Sequence, residues 1–216
     1  MPERRPFSEF ALIDLLDAFA SNDPVPGGGS AAALAGALGV SLLVMAASLS
    51  KSRTGAPEEA TDLAEAAARL RPLRDRLVEL IDADSSAYRS VMAALKLPKG
   101  SEQERARRNE TLQSALKEAT GVPMDVLRAC QQALAGAVIV ARNGYGPAAA
   151  DIAMGVELLY AAVRGTLLNI TGNLKGINDP VYVERVSAER KTLEIDSGFA
   201  AGQAQGALSG SPRSRP

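Results

Sequence analysis

Apolar residues recur along most of the chain at the three- and four-residue intervals of a helix, and no stretch alternates like a sheet strand. Phe10, Ile13, Leu16 and Phe19 predict one face of a first helix, with Ser8 placed to cap it. A glycine-rich turn leads into an uncharged stretch, which predicts a second helix. Pro57 near the first helical position, followed by Glu58 and Glu59, opens a third that reaches Leu95. Pro72 is expected to kink or interrupt it. Ser101 and Glu104 form a capping-box pair for a fourth, bent or restarted at Gly121 and Pro123 and closed by the turn residues Asn143 to Pro147. A fifth helix covers about 148–175, and Asp179 and Pro180 read as cap and first residue of the last. After Ile195 the composition turns to Gly, Ser, Ala, Pro and Arg. The pattern predicts an all-α, antiparallel helical bundle with long kinked helices, in one domain over 7–195. The tail at 196–216 and the first few residues are expected to be loosely ordered.

Composition narrows the chemistry. The formal net charge is -1, so no broad basic field exists to attract nucleic acid. Aromatics are 4% and Trp is absent, which argues against base-stacking platforms. Histidine is absent, so any proton transfer must use carboxylates, Lys, Tyr or water, and no His-ligated metal is available. The single cysteine, Cys130, excludes an internal disulfide and fits a reducing compartment; in its helical setting it reads as a small core residue. These readings fit a cytoplasmic protein without His-ligated metal, and no bound cofactor is expected.

The stretch from Ala31 to Leu49 holds 19 residues without a charge, close to the roughly 20 that span a bilayer. Ala, Gly and Ser dominate it, and their transfer energies are weak. No second span is evident, so a helix buried on all sides accounts for the pattern without lipid.

Two constellations could carry chemistry. "PGGGS", at Pro26 to Ser30, lacks the Gly-Lys-Ser/Thr of a phosphate loop and no strand precedes it, which leaves close backbone approach and unpaired N–H groups at a helix start. Taken alone, it fits a tight helix–helix turn as well as a site. Further along, Asp151 and Asn169 are 18 residues apart, five turns of one helix, and so share a face; Asn173 lies one turn beyond. Asp84 stands one turn before Tyr88. A carboxylate and two amides beside so apolar a surface must face water, bond to neighbouring helices or line a site.

"PGGGSAAALAGALG", "DSSAY", "LPKGSEQERARR", "ATGVP" and Asp151 followed by "LLNITGNLKGIND" occur in that order from about Phe7 to Val186. Together they resemble the cyclodeaminase/cyclohydrolase family, which comprises the C-terminal domain of formiminotransferase-cyclodeaminase and stand-alone methenyltetrahydrofolate cyclohydrolases. The resemblance implies a metal-free, helical, homodimeric protein acting on a tetrahydrofolate derivative. It points to Asp84 and Asp151 as catalytic residues, and to Gly27, Gly28, Gly29, Ser30, Asn169 and Asn173 as substrate-binding. Lys99 and Arg108, and less closely Arg53, match basic positions. The chain departs from the pattern at Tyr145 and Ala150, where the family usually has Asn and Ser, and at Ser48, where Asn is common. Hydrolysis of 5,10-methenyltetrahydrofolate, cyclodeamination of formiminotetrahydrofolate and folate binding without turnover all remain open at this point.

Overall fold

A computed structural model describes residues 5–210. Among these residues there is no β-strand, only an isolated bridge between Ser52 and Gly144. The described residues form six α-helices: α1 (Leu12–Ala20), α2 (Gly28–Ala47), α3 (Pro57–Leu95), α4 (Glu102–Asn143), α5 (Ala149–Leu174) and α6 (Pro180–Ser209). α2 lies between α3 and α5, with α4 behind it, and α6 crosses α4 and α5. The core is built from Leu43, Leu70, Leu77, Leu127, Leu134, Ile152, Leu159 and Ile170, all fully buried. α2 and α5 touch backbone to backbone: a Cβ on Gly39 would sit 2.8 Å from the Gly155 carbonyl oxygen.

The expected caps form. Ser101 accepts from the Glu104 N–H while the Glu104 side chain accepts from Ser101, and Asp179 accepts from the Tyr182 N–H with Pro180 behind it. At the two internal prolines, where a kink or bend is the other expectation, no interruption or restart forms. α3 runs unbroken through Pro72 and α4 through Pro123. An internal proline costs about 3 kcal/mol. Each fully buried Leu or Met contributes about 1.5–3 kcal/mol, and Leu70 and Leu77 flank one proline as Met124 and Leu127 follow the other. Packing therefore outweighs the missing hydrogen bond.

Two further expectations fail at the ends. The face of Ile13 and Leu16 is not a core face: both are exposed, only Leu15 of α1 is buried, and Ser8 does not cap the helix. The N–H groups of Phe7 and Ser8 instead donate to the Asp82 carboxylate, which holds this segment against α3 in a separate 3-10 turn. The tail assigned to 196–216 is helical as far as Ser209. Its Ser197, Ala200, Ala201 and Ala204 are buried at helical spacing, which small side chains conceal from any scan for large apolar residues. Residues 1–4 and 211–216, also expected to be loose, lie outside the described part.

By length and composition three helices among the described residues could cross a membrane, α2, α4 and the segment Gly146–Leu174, where the sequence pattern singled out only the first. α2 is also not buried on every side: Ala31, Leu38 and Met45, each two turns apart, form an open apolar stripe.

Candidate active site

The glycine turn delivers the start of α2 against the middle of α3, where Asp84 projects. Gly27 is the N-cap, so the N–H groups of Gly28, Gly29 and Ser30 fall in the first turn and have no intrahelical acceptor. Asp84 takes one of them. Its Oδ2 accepts from the Ser30 N–H at 2.8 Å and lies 3.0 Å from the Ser30 hydroxyl, which is itself 2.8 Å from the Ile81 carbonyl and 3.1 Å from the Ser85 hydroxyl. Ser30 and Ser85 are both fully buried. This contact requires glycine at position 29, because a Cβ there would run into the Asp84 carboxylate.

Asp84 Oδ2 is thus anchored, while Oδ1 has no hydrogen-bond donor among the described residues and packs against Gly29; the residue lines a cleft of about 310 Å³. Gly27, Gly28 and Gly29, Tyr88, Asn169 and Asn173 are among the groups that line it. The Asn173 amide N–H donates to the Ala119 carbonyl at 2.7 Å, which leaves its oxygen available. Burial pushes the Asp84 carboxyl above its ordinary value, and the hydroxyl and N–H of Ser30 oppose that rise without cancelling it. No cation lines the cleft. Among the described residues, no three Asp, Glu or Cys side chains gather in a way that could hold a metal ion.

The structure therefore brings together Asp84, the three glycines, Asn169 and Asn173, with Ser30 behind the carboxylate rather than in the wall. It does not bring Asp151 to them. Asp151 is exposed in the first turn of α5, while Asn169 and Asn173 occupy its last two turns. Sharing a helical face fixes direction but not height: 18 residues at 1.5 Å each put about 27 Å between them. At that end Asp151 meets the helix N-terminus, where a negative charge favours the helix dipole. Lys99 is exposed in the turn between α3 and α4, and Arg108 donates to the Leu95 carbonyl at 3.2 and 3.3 Å; neither lines the cleft. Arg53 donates to the carbonyls of Ala141 and Ala207, far along the chain from the glycine turn. Ser85 and Ile81 went unnoticed in the sequence, though with Asp84 they sit at the three- and four-residue spacing of one α3 face.

Residues 11–192 match the family profile described as Formiminotransferase-cyclodeaminase. The chain belongs to the formiminotransferase-cyclodeaminase family. Within it, the chain is 36% identical over 183 residues to the methenyltetrahydrofolate cyclohydrolase of Methylorubrum extorquens, covering 85% of this chain and 88% of that one. It is 34% identical over 162 residues to the formimidoyltransferase-cyclodeaminase of Gallus gallus, covering 75% of this chain but only 30% of that longer protein. The crystal structure of formiminotetrahydrofolate cyclodeaminase from Thermotoga maritima superposes with a TM-score of 0.83 at 27% identity, over 94% of this chain and 97% of the other. The all-α bundle is therefore the family fold.

Proposed function

We propose that this member of the folate one-carbon family hydrolyses 5,10-methenyltetrahydrofolate to 10-formyltetrahydrofolate, with Asp84 as its proton-handling group. The observation that carries this reading is the half-anchored carboxylate: Oδ2 is held by Ser30, Oδ1 accepts no hydrogen bond from the described residues, and Asp84 lines a cleft with amides and no cation. The substrate's bridging carbon belongs to an amidinium and carries delocalised positive charge, which a lone carboxylate attracts. Water adds to that carbon and gives its proton to Asp84 Oδ1. Asp84 returns that proton to N5 as the carbon–N5 bond breaks. The adduct's hydroxyl releases its own proton to solvent as it becomes the formyl C=O, and the formyl group stays on N10. A carboxyl raised by burial both accepts the proton and returns it more readily near neutrality than an ordinary aspartate. Asn169 and the free oxygen of Asn173 are placed to hold the pterin edge or the attacking water, and the N–H groups of Gly28 and Gly29 to meet a carbonyl oxygen.

Similarity along nearly the whole length to a cyclohydrolase supports this reaction. Cyclodeamination of formiminotetrahydrofolate is the second reading, favoured by the Thermotoga maritima structure. It would use the same groups in another order, ring nitrogen attacking first and ammonia leaving after protonation. Following the loss of methenyltetrahydrofolate absorbance alongside ammonia release from the formimino compound separates the two. Activity on neither would leave only folate binding, and would make Tyr145 and Ala150 the first positions to revert.

We further propose a cytoplasmic homodimer that neither spans a membrane nor binds nucleic acid and needs no bound cofactor. The open stripe of Ala31, Leu38 and Met45, with Leu12, Ile13 and Leu16 exposed on α1, supports a second copy as the covering partner. Light scattering giving a monomer mass at about 10 μM, where an obligate dimer holds together, or extraction that needs detergent, would count against it.

A further inference from the structure

A larger cavity, of about 960 Å³, lies at the opposite end of α2 from the Asp84 cleft. α2 has 20 residues, and at 1.5 Å per residue the two openings are about 30 Å apart. The walls of this second cavity include Lys51, Arg53, Arg71, Ser48, Thr54 and Tyr145, and no carboxylate lines it. Arg53 serves the framework, since it donates to the carbonyls of Ala141 and Ala207. The other two cations face the space with neutral contacts. Arg71 donates to the Ser48 hydroxyl at 3.1 Å, and the Lys51 ammonium stands 5.5 Å from the centre of the Tyr145 ring.

The loop that presents Lys51 and Thr54 is held in place from several sides, while Arg71 stands on α3. The Arg53 N–H donates to the Asn143 carbonyl at 2.8 Å, and Ser52 bridges Gly144. The Thr54 N–H donates to Glu59 at 2.8 Å, and the Gly55 N–H to the Ser52 hydroxyl at 3.1 Å. Lys51 on this loop and Arg71 on α3, with several hydroxyls beside them, put two cations and no carboxylate on the wall. The Glu59 carboxylate lies outside it and accepts from the Thr54 N–H; the lining is net positive around a space large enough for a small molecule. Charge-assisted hydrogen bonds from Lys and Arg to carboxylate or phosphate oxygens are the contacts such a field rewards.

We propose that this cavity is a second ligand site, for a small anion bearing two or more carboxylate or phosphate groups, with Lys51 and Arg71 as its cationic contacts. Its separation from Asp84 means that one chain does not place a single short ligand across both cavities. Two sources share the required chemistry: a free anion of the phosphate class, or the oligo-γ-glutamyl tail of a folate whose pterin sits in another copy's Asp84 cleft. Only the second source rests on the proposed reaction.

The test uses the full chain, titrated calorimetrically at low salt with inorganic phosphate and with γ-linked triglutamate. Saturable binding of at least one probe is expected. It should weaken at least tenfold in the Lys51→Ala/Arg71→Ala double variant and stay unchanged in Asp84→Asn. Both replaced side chains are exposed, so an unchanged melting temperature verifies the fold of the double variant. Binding of neither probe, or equal binding by the wild type and the double variant, overturns the proposal. The source is read from KM. A rise in the double variant for oligoglutamyl but not monoglutamyl methenyltetrahydrofolate assigns the site to the tail, while phosphate binding with an unmoved KM ratio assigns it to a free anion. The titration needs no turnover, so failure of the proposed reaction and failure of this site are told apart.

Discussion

The two ends of α2 are electrostatic opposites. At its N-terminus the chain sets a carboxylate and two amides around glycines, with no cation; just beyond its C-terminus it sets Lys51 and Arg71, with no carboxylate. Each charge lies where the helix dipole favours it, acid by the exposed N–H groups and base by the last carbonyls. α2 itself carries no charge over Gly28–Ala47, so nothing along it neutralises either end. The ends differ more in precision. Asp84 is oriented by Ser30 and pressed against Gly29, whereas the cations stand at the surface, Lys51 on a loop and Arg71 on α3. Orientation to a fraction of an ångström suits bond making, and a diffuse positive field suits holding a ligand.

The largest expected effect falls on the acidic end. Asp84→Asn keeps size and most hydrogen-bonding shape but cannot take a proton. Loss of a positioned acid or base removes on the order of 10²–10⁴ in rate, so kcat should fall by that amount with KM nearly unchanged. The same variant has a signature in stability. Because the folded chain raises the Asp84 carboxyl, folding favours its protonated form. That contribution is complete below the ordinary aspartate value of about 4 and is lost as pH rises through the raised one. Asparagine has no such dependence, so Asp84→Asn should melt on the order of 2 °C higher than wild type at pH 7, with the gap closing in acid. A variant with full kcat at both pH values would remove Asp84 from the chemistry.

Gly29→Ala comes next. The added methyl must displace the Asp84 carboxylate or the start of α2, and overpacking of this kind costs about 1–3 kcal/mol. Melting temperature and kcat should both drop. Gly28→Ala is the contrast, because nothing lies within 4 Å of a Cβ there, and it should melt within about a degree of wild type. Equal effects at the two positions would mean that the close approach at Gly29 does not set the site.

These positions also mark what the sequence could disclose. Helix number, the Ser101 and Asp179 caps and the meeting of the glycine turn with Asp84, Asn169 and Asn173 were legible, because each follows from local spacing or from the ordered family motifs. Asp151 was misplaced because periodicity reports angle around a helix and is silent on distance along it. That neither proline interrupts its helix was not legible, because the penalty is local, whereas the Leu and Met burial that overcomes it is tertiary. The cations at the far end were hardly legible at all. Lys51 and Arg71 are 20 residues apart on different elements, and only the packing of α3 beside α2 makes them neighbours.

That correction makes Asp151→Asn a sharper instrument than it looked. With Asp151 about 27 Å from the amides by the rise of its helix, the substitution should leave kcat within about threefold. Stability should change by no more than about 0.5 kcal/mol, the usual range for an exposed position. A fall as deep as that of Asp84→Asn would show that a second copy carries Asp151 to the cleft, and the contrast between the two ends of α2 would then hold for one chain but not for the assembly.

The smallest expected effect is also the most specific. Ser30→Ala removes the hydroxyl 3.0 Å from Asp84 Oδ2 but leaves the backbone N–H at 2.8 Å in place. The hydroxyl is one of the groups that hold the Asp84 carboxyl down against burial. Without it the carboxyl should rise further, and the acid limb of kcat/KM against pH should move upward. Above that limb the rate should stay within several-fold of wild type, since the proton acceptor itself is intact. Ser85→Ala is the matched control: the Ser85 hydroxyl lies 3.1 Å from the Ser30 hydroxyl and is not among the groups that bond Asp84, so its limb should move less. A limb that stays put in Ser30→Ala while moving in Ser85→Ala would mean that the Ser30 hydroxyl points its proton at Ile81 throughout. The backbone N–H alone would then orient the carboxylate, and the glycine turn would act on Asp84 through its main chain.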